Sequence, residues 1–502
     1  MALVMVKQSV FSSLLQLTKH SAIYGVGHVL TKSLIIFLLP IHTNYVERIE
    51  YGIATTLFAF LAIASIIYSY GLNTALIQFY ILEQEPKQKK NIFSTAFFAT
   101  AITSLIFSLI LILGSVFFAE HLFDSVEYGY LIRYSAAILS LDALLLLNFN
   151  ILRAQEKSNY FAFLSVLNVG LNLFFNILLV VHYQMGVKGI FLANIYSSFA
   201  MFFVLLPYCA RHLGIMLDRS VFYKMLKFGL PFVPATLSIV FINSIDRFFI
   251  KFYLGLDAAA LYGAGYKLGL IVKLFINAFQ FAWLPFFLHT AQKENAKEIF
   301  SKILTYFSLI CSIIFLSIHL FIEQVVRLKI FGLYIFGPEY WSSTVIVPVV
   351  TLAYIAYGIY LNFIVGIYVK EKTKLLMLIA GVGAIFNIVA NFILIPRYHL
   401  MGAAYATILS FVVMAVLCFR FSQRLYPIQY EFRRLLKIAI FTFVIALLPS
   451  LFKSDIHSAV KLIFFCGYFV LLYLSGFFQV AELEGLKQIY LHFKTRFLNG
   501  KE

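Results

Sequence analysis

Residues 92–118 read IFSTAFFATAITSLIFSLILILGSVFF, a stretch without one charged side chain. As α-helix it would be about 40 Å long, enough to cross a hydrocarbon core of about 30 Å. Apolar runs of this kind repeat from Ser21 to Val480 with only short connections. Bounded by charge clusters, glycines and prolines, they predict spans over residues 20–42, 51–76, 92–118, 128–151, 160–181, 187–210, 223–245, 260–286, 302–322, 343–368, 374–395, 401–420, 434–452 and 459–480. The runs are continuously apolar, whereas strands of an outer-membrane barrel alternate in segments of about ten residues. The expected fold is therefore an all-α membrane protein of about fourteen transmembrane helices.

Composition agrees. Hydrophobic residues make up 62% of the chain and charged residues 12%, against roughly 45–50% and about 25% in soluble proteins. Connections this short leave no room for a separate catalytic module. The first run contains His28 and Lys32 and has no small-residue cleavage site after it, so it reads as a retained helix rather than a signal peptide. Cys209, Cys311, Cys418 and Cys466 lie in or beside apolar runs without paired spacing or histidine neighbours, so neither disulfide nor metal site is expected.

The net charge of +17 is distributed unevenly. One set of alternate connections carries twenty Lys and Arg, from Lys87, Lys89 and Lys90 through Arg153, Lys157, Arg211, Arg219, Lys224 and Lys227 to Arg433, Arg434 and Lys437; the other carries eight and includes the acidic Glu120, Asp124 and Glu127. Cytoplasmic connections retain positive charge, so both termini are expected in the cytoplasm. This asymmetry and attraction to anionic lipid account for the charge, and no soluble basic surface is present to bind nucleic acid.

The chain repeats itself. Gln155-Glu156-Lys157-Ser158 aligns with Lys370-Glu371-Lys372-Thr373, Asn172 and Asn176 with Asn387 and Asn391, and Tyr51-Gly52 with Tyr262-Gly263. Each copy holds six spans, an even number, so the copies enter the membrane from the same side and form two parallel lobes around a central cleft. The expected organisation is a lobe over residues 1–222, a second over 223–424, and spans 13 and 14 with a cytoplasmic tail over 425–502.

Phe228-Gly229-Leu230-Pro231 with Pro234, Asn243-Ser244-Ile245-Asp246-Arg247-Phe248-Phe249-Ile250, Gly255 and Leu261-Tyr262-Gly263-Ala264-Gly265-Tyr266-Lys267 resemble the polysaccharide-transporter branch of the multidrug/oligosaccharidyl-lipid/polysaccharide superfamily, which includes the Wzx-type oligosaccharide flippases. The resemblance extends over nearly the whole chain in helix count and lobe order. It implies a flippase, not an enzyme, in a bacterial inner membrane. Its substrate would be an undecaprenyl-pyrophosphate-linked oligosaccharide of O-antigen, capsule or exopolysaccharide, carried outward by alternating access without ATP. The partners implied are that glycan, the bilayer, and a glycan polymerase with chain-length proteins. The acidic-basic signature of lipid II flippases is not seen in span 1.

A charge within a span costs at least about 2.5–3.5 kcal/mol, so intramembrane ionisable residues are the first functional candidates. Span 1 places Tyr24, His28 and Lys32 at intervals of four. Span 8 places Tyr266, Lys273, Asn277 and Gln280 on one stripe, with Lys267 beside it. Lys32 and Lys273, with Lys267 and Arg133, would neutralise a pyrophosphate while Tyr and Asn contact sugars; for Lys267 and Arg133, snorkelling to the interface is the competing account, and it is the favoured one for Lys461. Asp142, the carboxylate in mid-span, is expected to couple transport to H+ or Na+ or to pair with a cavity cation. Asp246 and Arg247, at the end of span 7, are expected to form a structural pair or gate. Asn168, Asn172, Asn176, Asn387 and Asn391 are expected to bond between helices. Gly263-x-Gly265 lies within a span, which fits helix packing better than nucleotide binding.

Competing functions are an antiporter of cationic drugs, which should line its cavity with carboxylates, and a membrane glycan polymerase, which needs a large outer loop. The mid-span charges are mostly cationic, and the longest outer loop, residues 323–342, is short and mostly apolar.

Overall fold

The computed structural model describes residues 37–214, 217–291, 293–330, 332–452 and 457–478, and they are overwhelmingly helical. The helices are α1 (residues 37–45), α2 (Arg48–Ser69), α3 (Leu72–Leu82), α4 (Pro86–Leu113), α5 (Ser115–Phe123), α6 (Gly129–Ala154), α7 (Ser158–Asn176), α8 (Gly186–His212), α9 (Arg219–Gly229), α10 (Val233–Gly269), α11 (Ile271–Thr290), α12 (Ala296–Arg327), α13 (Val347–Phe363), α14 (Val365–Val369), α15 (Lys374–Leu425), α16 (Phe432–Leu447) and α17 (Ser458–Leu474). Nine helical stretches among the described residues are long and apolar enough to cross a membrane, with shorter apolar helices beside them. Two of the nine, Arg219–Gly269 and Lys374–Leu425, continue through a bend; the second carries two of the expected spans, and the first carries span 223–245 and the opening ten residues of span 260–286, which continues in α11.

The opening stretch shows the pattern that a bilayer selects. On α4 the large side chains Ile102, Leu105, Ile106, Leu109 and Leu113 face outward, while the small polar Thr100, Ser104 and Ser108 are buried. With hydrocarbon outside, no hydrophobic force distinguishes the two faces; close approach and hydrogen bonding do. Ser108 accordingly meets Tyr68 Oη at 3.0 Å and Ser140 Oγ at 2.7 Å.

The breaks follow residue chemistry. Between α2 and α3 the chain turns at Gly71, and α10 bends at Gly255, with φ of 82° and 84°, values that glycine adopts without steric cost. Span 7 begins later than predicted: residues 219–229 form the separate helix α9, divided from α10 by a short 3-10 turn containing Pro231, which has no backbone donor to extend a helix. On α9, Met225 is buried in a cluster with Leu76, Phe93 and Ile151, while Lys224 and Lys227 are exposed, the two-faced pattern of a helix lying in the membrane interface. Asp218 caps it, accepting from Ser220 N at 2.8 Å and Val221 N at 3.2 Å, and ties it to α4 through Asn91 Nδ2 at 3.1 Å.

By contacts the chain divides into two units, residues 1–292 with 326–427, and 293–325 with 428–502. This partition differs from the repeat: the second unit gathers α12 with α16 and α17. It is held by Ser312 to Tyr468 Oη at 2.6 Å and His319 Nε2 to the Ala446 carbonyl at 2.9 Å. Lys461, expected to snorkel, is instead buried there with its Nζ 3.5 Å from Glu323. In the first unit α2 lies tightly against α10. A Cβ at Gly52 would strike the Leu256 carbonyl, and one at Gly263 would strike Thr55; Thr55 Oγ1 donates to the Ala259 carbonyl at 3.2 Å. The repeated Tyr-Gly pairs are thus the places where the two helices touch most closely.

Gly52→Val and Gly263→Val should each destabilise the protein by about 1–3 kcal/mol through overpacking. Gly170→Val and Gly381→Val, where a Cβ would meet nothing within 4 Å, are the controls, and thermal unfolding in detergent is the measurement. Hydrogen bonds from Ser220 and then Asn91, with the α9 backbone, hold the Asp218 carboxyl below its ordinary 3.8, at about 2. Its capping contribution should therefore be complete above pH 3.8 and vanish only as pH falls through about 2. Asp218→Ala should accelerate amide exchange over residues 219–223 at neutral pH, read by hydrogen-exchange mass spectrometry.

Candidate functional site

Both limbs of α10 face a cavity of about 420 Å³ within the first unit. From the first repeat it takes residues of α1, α2, α7 and α8, and from the second residues of α10, α11 and α13. Arg247, Lys267 and Lys273 line it, and among the described residues no carboxylate does.

The three cations are held differently. Arg247, in the body of α10 and not at a span end, pairs with Asp246 Oδ1 at 2.8 Å and lies over the Tyr266 ring at 4.3 Å. Asp246 is fully buried behind it and also accepts from Tyr262 Oη at 2.5 Å, so this charge is balanced inside the protein. Lys273, in the first turn of α11, reaches Asn243 Oδ1 at 3.3 Å and Tyr354 Oη at 3.4 Å, with the Tyr354 ring at 4.6 Å. Tyr354 Oη donates in turn to Asn243 Oδ1 at 2.7 Å. Lys267 has only aromatic faces, Tyr51 at 4.9 Å and Phe58 at 5.7 Å; among the described residues its ammonium meets neither carboxylate nor hydrogen-bond acceptor. An ammonium presents three donors.

The opposite wall is a chain of amides. His42 Nε2 meets Asn176 Oδ1 at 2.9 Å, Asn176 Nδ2 donates to Asn172 Oδ1 at 2.9 Å, and Asn172 Nδ2 donates to Asn194 Oδ1 and Ser197 Oγ, both at 3.1 Å. The second repeat reproduces the first step, Asn391 Nδ2 donating to Asn387 Oδ1 at 3.0 Å. These bonds run along a helix as well as between helices.

Of the residues singled out in the sequence, Lys267, Lys273, Tyr266 and Arg247 come together at the cavity. Asn277 and Gln280 lie further along α11 and do not line it, and Arg133 is exposed on α6 away from it. Tyr24, His28 and Lys32 lie outside the described residues. Asp142 accepts from Ser198 Oγ at 2.7 Å, one helical turn from Asn194, and forms no ion pair among the described residues. His42, Asn194, Asn243 and Tyr354 were not expected. Asn243 carried a usable signal, four residues before Arg247 and so on the same helical face; single neutral residues such as Tyr354 in an apolar run carry none.

Bent helices long and apolar enough to cross a membrane, packed around a cavity, define a multi-pass membrane protein. The sequence profile of the family described as polysaccharide biosynthesis protein matches residues 17–291, more than half of the chain, and the chain belongs to that family. It is similar to a membrane protein of Methanocaldococcus jannaschii, MJ1068, 20% identical over 512 residues and covering 94% of this chain and 98% of that one. Its fold is similar to that of the lipid II flippase MurJ in an inward closed conformation, with a TM-score of 0.72 at 14% identity over 90% of this chain and 98% of that chain. It is also similar to an inward-facing multidrug resistance transporter of the MATE family in the MOP superfamily, with a TM-score of 0.58 at 14% identity over 84% and 96%. The all-helical architecture expected from hydropathy is that of these superfamily members.

Removing one partner of a buried ion pair leaves the other charge stranded. Asp246→Ala should therefore destabilise the protein by about 3–5 kcal/mol, while Asp246→Ala with Arg247→Leu should recover much of the loss. Thermal unfolding of the purified variants reads both, and equal destabilisation by the single and double variants would show that the pair is not the cause.

Proposed function

We propose that the protein is a flippase that carries an undecaprenyl-pyrophosphate-linked oligosaccharide from the cytoplasmic to the outer leaflet of a bacterial inner membrane by alternating access. Membership of a polysaccharide biosynthesis family supports a glycan substrate. The observation that carries the reading is Lys267, an ammonium in a transmembrane cavity with three donors and no acceptor from the described protein, flanked by two further cations. A charge left so is costly unless water or a ligand completes it. The ligand chemistry that does so is an anion rich in acceptor oxygens, and a diphosphate linking lipid to glycan is one. Low-dielectric walls strengthen that attraction relative to bulk water, and the amide wall from Asn172 to Asn194 offers paired donors and acceptors to sugar hydroxyls. A cationic drug would meet the like charges of Lys267 and Lys273 in the same space, with Arg247 already paired to Asp246, which disfavours the antiporter reading.

Asp142 is the coupling group in this proposal, a span carboxylate bonded to a hydroxyl and free of cations among the described residues. Both termini lie in the cytoplasm, where the Lys- and Arg-rich connections gather, and the products pass to a glycan polymerase and chain-length proteins outside.

A charge-assisted hydrogen bond contributes about 1.5–3 kcal/mol, so Lys267→Gln and Lys273→Gln should each weaken substrate binding by about ten-fold or more at unchanged protein abundance, with Arg restoring more activity than Gln. Translocation of undecaprenyl-pyrophosphate oligosaccharide into proteoliposomes is the assay; full activity of both Gln variants would refute the cationic-cavity mechanism. In the same assay Asp142→Asn should abolish the response to imposed H+ or Na+ gradients, and a retained response removes Asp142 from coupling.

A further inference from the structure

The repeated connection Gln155-Glu156-Lys157-Ser158 does more in the first lobe than join α6 to α7. Gln155 is the hub of a closed polar network at the Lys-rich end of the unit. Its Nε2 donates to Tyr80 Oη at 2.7 Å and lies 2.8 Å from His212 Nε2, while its Oε1 accepts from Tyr208 Oη at 2.9 Å. His212 Nδ1 is 2.8 Å from the Tyr208 carbonyl. A carbonyl only accepts, so Nδ1 carries the hydrogen and Nε2 is the acceptor for Gln155, which makes the imidazole neutral.

Gln155 Oε1 and His212 Nε2 are thereby engaged as acceptors, and donors remain around them. Tyr80 Oη accepts from Gln155, and its own hydrogen has no acceptor among the described residues. Lys89 Nζ stands 5.4 Å over the Tyr80 ring and Lys157 Nζ 5.0 Å over the Tyr208 ring, and neither forms an ion pair among the described residues. Lys90 and Arg211 are within electrostatic reach of the same imidazole. The nearby Glu83 accepts from the backbone N–H of Gln84 and Glu85, at 2.8 and 3.0 Å, and is within electrostatic reach of Lys89 without pairing with it. The positive-inside tendency explains why lysines are at this end, but not why two of them sit over rings that one glutamine fixes in place. In the second repeat the corresponding position is Lys370, and this hub has no counterpart to its glutamine.

We propose that Tyr80, Lys89, Lys157 and the Gln155 hub form a second anion site, separate from the central cavity, that binds a phosphate-bearing lipid headgroup at the membrane surface. Amphipathic Tyr and His at a span end, with ammonium groups above them, match the headgroup depth at which such phosphates lie. The site needs no transport cycle, so it stands whether or not the flippase reading does.

The test is anionic-lipid retention by the purified full-length protein in nanodiscs, measured by native mass spectrometry. One arm uses phosphatidylcholine with graded phosphatidylglycerol; the other uses phosphatidylcholine alone with added inorganic pyrophosphate. Lys89→Gln with Lys157→Gln should lower phosphatidylglycerol retention by about ten-fold or more, and Lys89→Arg with Lys157→Arg should preserve it. Lys224→Gln with Lys227→Gln, the same charge change on α9, should alter it little. Lys157, Lys224 and Lys227 are exposed and Lys89 is half-buried, so folding is expected to survive both double Gln variants, and unfolding temperature checks this. Pyrophosphate binding in the second arm that the Lys89/Lys157 variant loses would support the same phosphate chemistry from a soluble source. Equal loss in the two Gln variants, or no preference for phosphatidylglycerol in the wild type, would overturn the proposal.

Discussion

A charge in hydrocarbon must be solvated by the protein, and the centre of this molecule is arranged around one such charge. The buried Asp246 receives a guanidinium, a phenol and a backbone N–H. That ties Arg247 to Tyr262 and Tyr266 across the bend of α10, and Tyr266 to Tyr354 and so to Asn243 and Lys273. The cavity's second-repeat wall is a single chain of hydrogen bonds and one cation-over-ring contact, Arg247 on Tyr266, that begins at a carboxylate. Among the described residues Lys267 stands outside that chain, against aromatic faces alone. The contrast between a neutralised Arg247 and an ammonium left to its rings gives the cavity its positive character.

The same constraint made much of the fold legible. Apolar runs too long for anything but a span, with Lys and Arg confined to alternate connections, leave few architectures, and Lys267 and Lys273 stood out because charges within such runs are costly. What hydropathy could not register is where a helix stops without leaving the membrane. A bend at Gly255 and a loop look alike in a hydropathy window, so Arg247 was placed at a span end, though α10 carries it in mid-helix. The break at Leu270 likewise divides the stripe from Tyr266 to Gln280, leaving Asn277 and Gln280 beyond the cavity. On α9, the apolar Val221, Phe222, Met225 and Phe228 led Lys224 and Lys227 to be absorbed into a span edge. Neutral partners such as His42 and Tyr354 were invisible because their importance lies in what they touch.

Small residues do in this protein what large apolar ones do in a soluble core. Gly52 and Gly263 bring α2 and α10 to backbone contact, and Gly71 and Gly229 meet carbonyl to Cα between α2's end and α9. Between such contacts the polar side chains have room to bond, as Thr55 does to the Ala259 carbonyl. Packing and polarity are therefore specified by the same short stretches, which is why the repeated Tyr-Gly pairs carry both a ring facing the cavity region and a notch beside it.

The bend of α10 has a mechanical meaning. Arg247 and Lys267 lie eight and twelve residues to either side of Gly255, lever arms of about 12 and 18 Å at helical rise. Opening or closing that one joint by about ten degrees would carry either side chain roughly 2–3 Å. The spacing of two cavity cations is thus read out by a single pair of backbone angles, and an anion that bridges them acts as a spring across the joint. Gly255 has nothing within 4 Å of where a side chain would begin, so the stiffness of this calliper comes from its backbone and from the contacts that cross it, Tyr262 to Asp246 and Arg247 over Tyr266.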